Sequence, residues 1–112
     1  MKAEVHQENN TTIVNVTGSV DALTAADLSK VLTEQITEGR ANLIVDLTGV
    51  EFMSSAGLRT LLGAVKESRT NGGDLRIIST NPGVDKVLKM SGFHNIAKVF
   101  PSQAEAVSSF GS

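Results

Sequence analysis

Two adjacent hydroxyls, Ser54 and Ser55, stand where the spacing of apolar residues changes from that of a strand to that of a helix. Before them, Leu43-Ile44-Val45-Asp46-Leu47 is apolar except for Asp46, which suits a central strand covered on both faces. After them, Leu58, Leu61, Leu62 and Val65 recur at i, i+3, i+4 and i+7, one face of a helix. A serine at such a junction can cap the helix by accepting from a free first-turn N–H, which is worth about 1 kcal/mol against alanine. It can also carry a phosphate, because the same N–H groups and the positive end of the helix dipole favour an anion. Capping serines far outnumber phosphorylated ones, but one cap is sufficient and the pair leaves a hydroxyl over. A phosphate there would add a charge of about -1.5 to -2 and repel an acidic partner docked at the same place.

The other reactive side chains are few. Asp21 lies on the expected loop leaving the second strand, where it can cap the following helix or lie on a binding surface; Thr24 offers its own helix cap, which gives weight to the surface role. Asp46 reads as a loop-anchoring acceptor with a supporting role toward the serines rather than as a catalytic acid. His6 is expected on an edge strand and His94 in a turn after Gly92; neither sits in a catalytic pattern. Ser54-Ser55-Ala56-Gly57 lacks the glycine two residues before the serine that the hydrolase nucleophile turn needs. Asn71-Gly72-Gly73-Asp74 has neither the spacing nor the lysine of a phosphate-cradling loop. Cysteine is absent, which excludes disulfides, thiolate zinc sites and cysteine nucleophiles. Metal ligands at useful spacing are missing. No catalytic residue, metal or cofactor is expected.

Composition narrows the partners. A length of 112 residues predicts one domain over residues 1–112. The net charge of -2, with four Phe and no Trp or Tyr, supplies neither the basic surface nor the stacking platforms that nucleic acid requires. No apolar run reaches membrane-spanning length and the N-terminus lacks a secretory pattern. No membrane insertion and a cytoplasmic location are expected.

The elements that must position these groups follow from periodicity and punctuation. Glu4 to Gln7 and Thr12 to Thr17 read as strands of an edge hairpin joined at Glu8-Asn9-Asn10-Thr11. Thr24-Ala25-Ala26-Asp27 is a hydroxyl-x-x-acid helix start, followed by Leu28, Val31, Leu32 and Ile36 at helical spacing and a stop at Gly39. The central strand Leu43 to Leu47, a short loop, and a helix from the serines to about Thr70 come next, with Asn71-Gly72-Gly73 as the stop. Leu75 to Ser79 is a strand, and Asn81-Pro82 opens a helix that ends at Ser91-Gly92. Ile96 to Phe100 reads as a last strand, and Pro101-Ser102 opens a final helix through Ala104, Val107 and Phe110. The order β-β-α-β-α-β-α-β-α predicts an α/β fold with a mixed sheet, mostly parallel after the hairpin, and one layer of helices covering most of one side.

Four stretches together resemble a known family: Gly18-Ser19-Val20-Asp21, Leu43-Ile44-Val45-Asp46-Leu47-Thr48-Gly49-Val50, Phe52-Met53-Ser54-Ser55-Ala56-Gly57-Leu58, and Met90-Ser91-Gly92-Phe93. Nearly the whole chain is similar to STAS domains, and within them to the bacterial anti-sigma factor antagonists. The resemblance implies a STAS-like mixed sheet of four to five strands with about four helices. It implies that the unphosphorylated protein binds an anti-sigma factor that is also a serine kinase of ATPase-type fold, so that a sigma factor is freed. The kinase then phosphorylates a serine at the start of the second helix, and a metal-dependent serine phosphatase reverses the step. The implied acceptor is the residue two before the Gly-Leu pair, which is Ser55. The implied partner contacts are Asp21, Met53, Ser54, Ser55, Gly57 and Leu58, with Asp46 in support.

One position departs from that pattern. Relatives often carry aspartate immediately before the acceptor, whereas this chain has Ser54. One negative charge is thereby removed from the docking edge, and Ser54 becomes a second candidate acceptor. A second reading is a STAS module without phosphorylation, which binds a nucleotide or small ligand or serves as a subunit of a transport or signalling assembly.

Overall fold

The strands with the most apolar sequence take the middle of the sheet. The computed structural model describes residues 1–111; Ser112, the last residue of the expected domain, lies outside the described residues. The elements run β1 (Lys2–Glu8), β2 (Thr11–Val20), α1 (Ala25–Thr37), β3 (Asn42–Met53), α2 (Ser55–Thr70), β4 (Asp74–Ile78), α3 (Pro82–Met90), a 3-10 turn (Phe93–Asn95), β5 (Val99–Phe100) and α4 (Gln103–Ser108). They build one five-stranded sheet in the order β1-β2-β3-β4-β5. β1 pairs antiparallel with β2, and every later pairing is parallel. This is the expected mixed α/β sheet with four helices, and β1 is an edge as the hairpin reading required.

Alternation along the strands assigns the two faces. Val14, Val45 and Ile77 lie side by side in register and join Leu28, Leu32, Leu61, Val65, Val84, Leu88 and the fully buried Phe93 in the main core. Their neighbours Ile13, Ile44 and Ile78 point the other way and meet Ala106 and Val107 of α4. Three helices thus cover one face and the short α4 part of the other. Arg76 on β4 ties α4 down: its Nη1 donates to Ser109 Oγ at 2.7 Å and its guanidinium lies 4.0 Å from the Phe110 ring centroid. Asp74 accepts from Arg69 and Arg76 at 2.9 and 3.1 Å. Burial pushes the Asp74 carboxyl up, but the two guanidinium groups outweigh it and hold the group below its ordinary value.

Several boundaries differ from the periodicity: the hairpin strands are longer than expected, with β1 starting at Lys2 and β2 running on to Val20 rather than ending at Thr17, and three further differences bear on the site and the core. The short loop expected after Leu47 is strand, because β3 continues to Met53 through two register shifts against β2. Each shift lets β3 absorb one extra residue as a bulge without leaving the ladder. The first sits at Asp46, whose Oδ1 accepts from Thr48 N at 2.9 Å. Asp46 is therefore a backbone anchor as expected, but in mid-strand rather than at a strand end. The last strand is shorter than Ile96 to Phe100, since burial of the Phe93 ring winds the preceding residues into a turn closed by Ile96 N and Ala97 N on Phe93 O. The final helix stops at Ser108, short of Phe110. Among the described residues no helix is long and apolar enough to cross a membrane.

Two glycines should respond oppositely to alanine. A Cβ on Gly63 meets nothing within 4 Å, whereas one on Gly73 would stand 2.2 Å from the Ala41 carbonyl oxygen. Gly63→Ala, inside α2, should raise stability by about 0.5–1 kcal/mol. Gly73→Ala should lower it by about 1–3 kcal/mol, because the obstacle is backbone. Urea denaturation of the two variants checks the sign of each.

Candidate functional site

The pairing of β2 with β3 brings two loops to one edge. Because the strands are parallel, the β2–α1 loop and the start of α2 both leave from C-terminal strand ends, where α/β proteins place their sites. The ends are locked together: Val20 pairs with Met53, and Ser54 N donates to Val20 O at 2.8 Å. Asp21 and the serine pair are thereby held on adjacent strand ends.

The two serines have different duties. Ser54 is the N-cap of α2 in extended backbone, and its side chain accepts from Gly57 N at 3.2 Å. It is half-buried, while Ser55, the first helical residue, is exposed. The Ser55 hydroxyl enters no side-chain hydrogen bond among the described residues. No acidic residue lies in the first turn of α2, so the positive end of the dipole meets no counter-charge from the helix itself. A phosphate on Ser55 would find N–H density beneath it and would leave the cap intact.

Asp21 is more engaged than a free surface carboxylate. Its Oδ1 accepts from Leu23 N at 2.9 Å and Thr24 N at 3.0 Å. Thr24 does not cap α1 with its side chain. Its Oγ1 instead accepts from Asp21 N at 3.0 Å and lies 3.1 Å from both Ser19 O and Asp21 Oδ1, one of which takes its proton. The expected Thr24 side-chain cap is thus corrected, and of the two roles open to Asp21 the carboxylate takes one close to capping: a four-residue turn has satisfied its own N–H groups with it, and the hydroxyl closes that turn. The Thr24 N–H above all, against a smaller burial effect and assisted by the Thr24 hydroxyl and Leu23 N–H, holds the Asp21 carboxyl below its ordinary 3.8.

Not every residue expected at a partner surface is on the surface. Met53 is 3% exposed and packs in the main core. Gly57 is buried, and a Cβ there would come within 2.4 Å of Met53 Sδ and 2.8 Å of Val20 Cγ1. Their direct contact with a partner is therefore corrected to a role beneath the edge, where the missing Cβ lets α2 sit directly on the ends of β2 and β3. Leu58 is half-buried against the same core. Asp46 touches neither serine through a hydrogen bond; it fixes the bulge through Thr48.

Two exposed apolar side chains flank the site and were not among the expected contacts. Leu23 is 87% exposed and Phe52 is 53% exposed. A signal for Phe52 lay in alternation, since a buried Met53 forces its neighbour to the opposite side. Leu23 carries none beyond being a lone leucine in a polar turn.

A family model described as STAS domain matches residues 2–106 of this chain. The Bordetella bronchiseptica protein BtrV, provisionally named an anti-sigma factor antagonist, is 31% identical over 110 residues, spanning 98% of this chain and 95% of its own. The crystal structure of an anti-sigma factor antagonist from Mycobacterium paratuberculosis superposes with a TM-score of 0.91 at 21% identity, covering 99% of this chain and 94% of that one. The anti-sigma factor antagonist SpoIIAA in its unphosphorylated form gives 0.83 at 20% identity, covering 97% of this chain and 96% of that one. The phosphorylated form of the Bacillus protein SpoIIAA gives 0.75 at 19%, covering 97% and 99%. At such identities the structural likeness shows the fold.

Two outcomes follow from the hydrogen bonds at this edge. Ser54→Ala should cost about 1 kcal/mol by removing the cap, and Ser55→Ala should stay within about 0.5 kcal/mol of the parent, both read by denaturant titration. Asp21 has a depressed folded pKa, so its bonds stabilise the turn above the unfolded carboxylate value of about 3.9. That contribution is lost as pH falls through the lower folded value. An NMR titration should give an Asp21 midpoint below 3.8, shared by the Leu23 and Thr24 amides; a midpoint at or above it would contradict the bonding.

Proposed function

The chain belongs to the STAS domain family, and on that premise we propose that it is an anti-sigma factor antagonist whose docking edge is switched by phosphorylation of Ser55. The observation that carries this reading is the unequal occupation of the serine pair. Ser54 spends its oxygen on Gly57 N, whereas Ser55 is exposed and can be phosphorylated without loss of the cap. Names borne by relatives, and the solution of SpoIIAA in both unphosphorylated and phosphorylated forms, support the same reading.

In the unphosphorylated state the edge formed by Asp21, Ser54, Ser55 and Leu58 binds an anti-sigma factor that is also a serine kinase of ATPase-type fold, and a sigma factor is freed. Met53 and Gly57 support that edge from below, and Asp46 holds the bulge behind it. The Ser55 oxygen attacks the γ-phosphorus of kinase-bound ATP, the hydroxyl proton leaves to a kinase base, and ADP departs. The new dianion meets the partner surface that had faced a neutral hydroxyl, and the complex separates. A metal-dependent serine phosphatase hydrolyses the ester and restores the hydroxyl. This chain contributes the acceptor and no catalytic group. The reading takes residues 1–112 as one domain acting in the cytoplasm, where ATP and the sigma factor are found, and requires neither nucleic acid nor membrane insertion.

Incubation with the cognate kinase and ATP should place phosphate on Ser55 by mass spectrometry, with none on the Ser55→Ala variant and near-normal incorporation on Ser54→Ala. Ser55→Asp should weaken kinase binding in calorimetry by about tenfold or more through charge alone. Equal phosphorylation of Ser55→Ala, or unchanged affinity of Ser55→Asp, would overturn the assignment.

A further inference from the structure

Strand β1 is the one long sheet edge, since β5 at the other end has two residues. All seven residues of β1 pair with β2 without a register shift, so its outer row of N–H and C=O groups is straight and unpaired with the rest of the sheet. Edges are commonly blunted by proline, a bulge or a covering segment, and β1 contains neither of the first two. It carries charged and polar side chains instead, in the order Lys2, Glu4, His6, Glu8 on the face that bears α4, with Ala3, Val5 and Gln7 on the other. Val5 is 39% exposed despite facing the three-helix side.

We propose that β1 pairs antiparallel with β1 of a second copy of this chain, across a two-fold axis at Val5, to give a continuous ten-stranded sheet. The charge order selects this register. Centred on Val5, every Lys2 lies opposite Glu8 of the other copy, every Glu4 opposite His6, and Val5 meets Val5. Cross-strand partners have Cβ atoms about 4.5–5.5 Å apart, close enough for these pairs to form and for like charges to repel. A shift that keeps the same hydrogen-bonding parity moves the pairing by two residues. In one direction Glu4 then faces Glu4; in the other Glu4 faces Glu8 twice. The Val5-centred register is also the one that uses all seven residues. The charges that protect the edge from indiscriminate strands therefore admit a copy of itself.

The intrachain Lys2–Glu4 ion pair, 3.0 Å with both side chains largely exposed, is of the weak surface kind and does not compete strongly. The Glu4 and Glu8 carboxylates carry no bond to β2 side chains, while the His6 ring is steadied from behind by the amides of Asn15 and Gln103, each at 3.2 Å. A seam of one strand buries less than the roughly 1,000 Å² of a stable interface, so the dimer forms and dissociates with protein concentration. Ser55 follows β3, two strands in from the seam, and stays accessible in both copies. Failure of this pairing would therefore leave the phosphorylation reading untouched, and the converse.

Sedimentation from micromolar to millimolar protein should show a monomer–dimer equilibrium. Lys2→Glu and Glu8→Lys should each raise the dissociation constant by about tenfold, since each puts two like-charged pairs in the seam. The double variant Lys2→Glu/Glu8→Lys should return to within about threefold of the parent. Both sites are exposed, and circular dichroism should show parental folding. Hydrogen exchange on the unaltered protein gives a second readout: β1 amides should gain protection with concentration. A monomer at millimolar protein, a double variant as weak as the singles, or concentration-independent exchange in β1 would overturn the pairing.

Discussion

The parallel pairing of β2 with β3 is the constraint on which the rest of the molecule depends. It is the pairing that sets two loops at one edge, and it is tight at its end, with Ser54 N bound to Val20 O and Gly57 pressed against Val20 and Met53. A side chain at Gly57 would lift the first turn of α2 away from the strand ends and displace Ser55 relative to Asp21. The bulges belong to the same constraint. They let β3 be longer than the stretch of β2 it pairs with, and they keep Val50 and Met53 turned into the core despite the extra residues. Packing in the core therefore fixes the relation between Asp21 and Ser55 more firmly than any contact the two could make at the surface.

Much of this was legible in the sequence where one local rule acted alone. Apolar spacing from Leu58 to Val65 defined α2, and Asn81-Pro82 gave the cap and first turn of α3, with Asn81 Oδ1 accepting from Gly83 N at 2.8 Å. The misreadings occur where a local signal competed with a partner elsewhere in the chain. Thr24 has the sequence of a helix cap, but the Asp21 N–H and the Ser19 carbonyl compete for its hydroxyl. Thr48-Gly49 has the sequence of a turn, yet pairing of Gly49 with Thr17 and of Val50 with Gly18 keeps the stretch in the ladder. Ile96 to Phe100 has strand propensity, but burial of Phe93 takes its first half. At the site, spacing located the serine pair without dividing its duties, because which hydroxyl faces the helix N–H groups depends on the angle at which β3 enters α2. Burial of Met53 and exposure of Phe52 likewise required the register of β3 beyond the bulges.

For the switch proposed at Ser55, a phosphate on the first residue of α2 could act by unfolding the helix or by surface charge. Position and magnitude favour charge. At the start of α2 the anion meets a dipole worth about 0.3–1 kcal/mol in its favour, no acidic neighbour in the first turn, and a cap supplied by a different residue. Nothing in that arrangement strains the helix, and Gly57 keeps the turn seated on the core. The same charge facing a partner's acidic or desolvated surface costs several kcal/mol, which is large beside the local gain. In the proposed switch the opposing effects would fall on different states: the free protein would be slightly stabilised and the complex strongly destabilised. A switch built in this way can be set and reset many times without exposing the core, because the element that carries the charge never has to leave the strands that hold it.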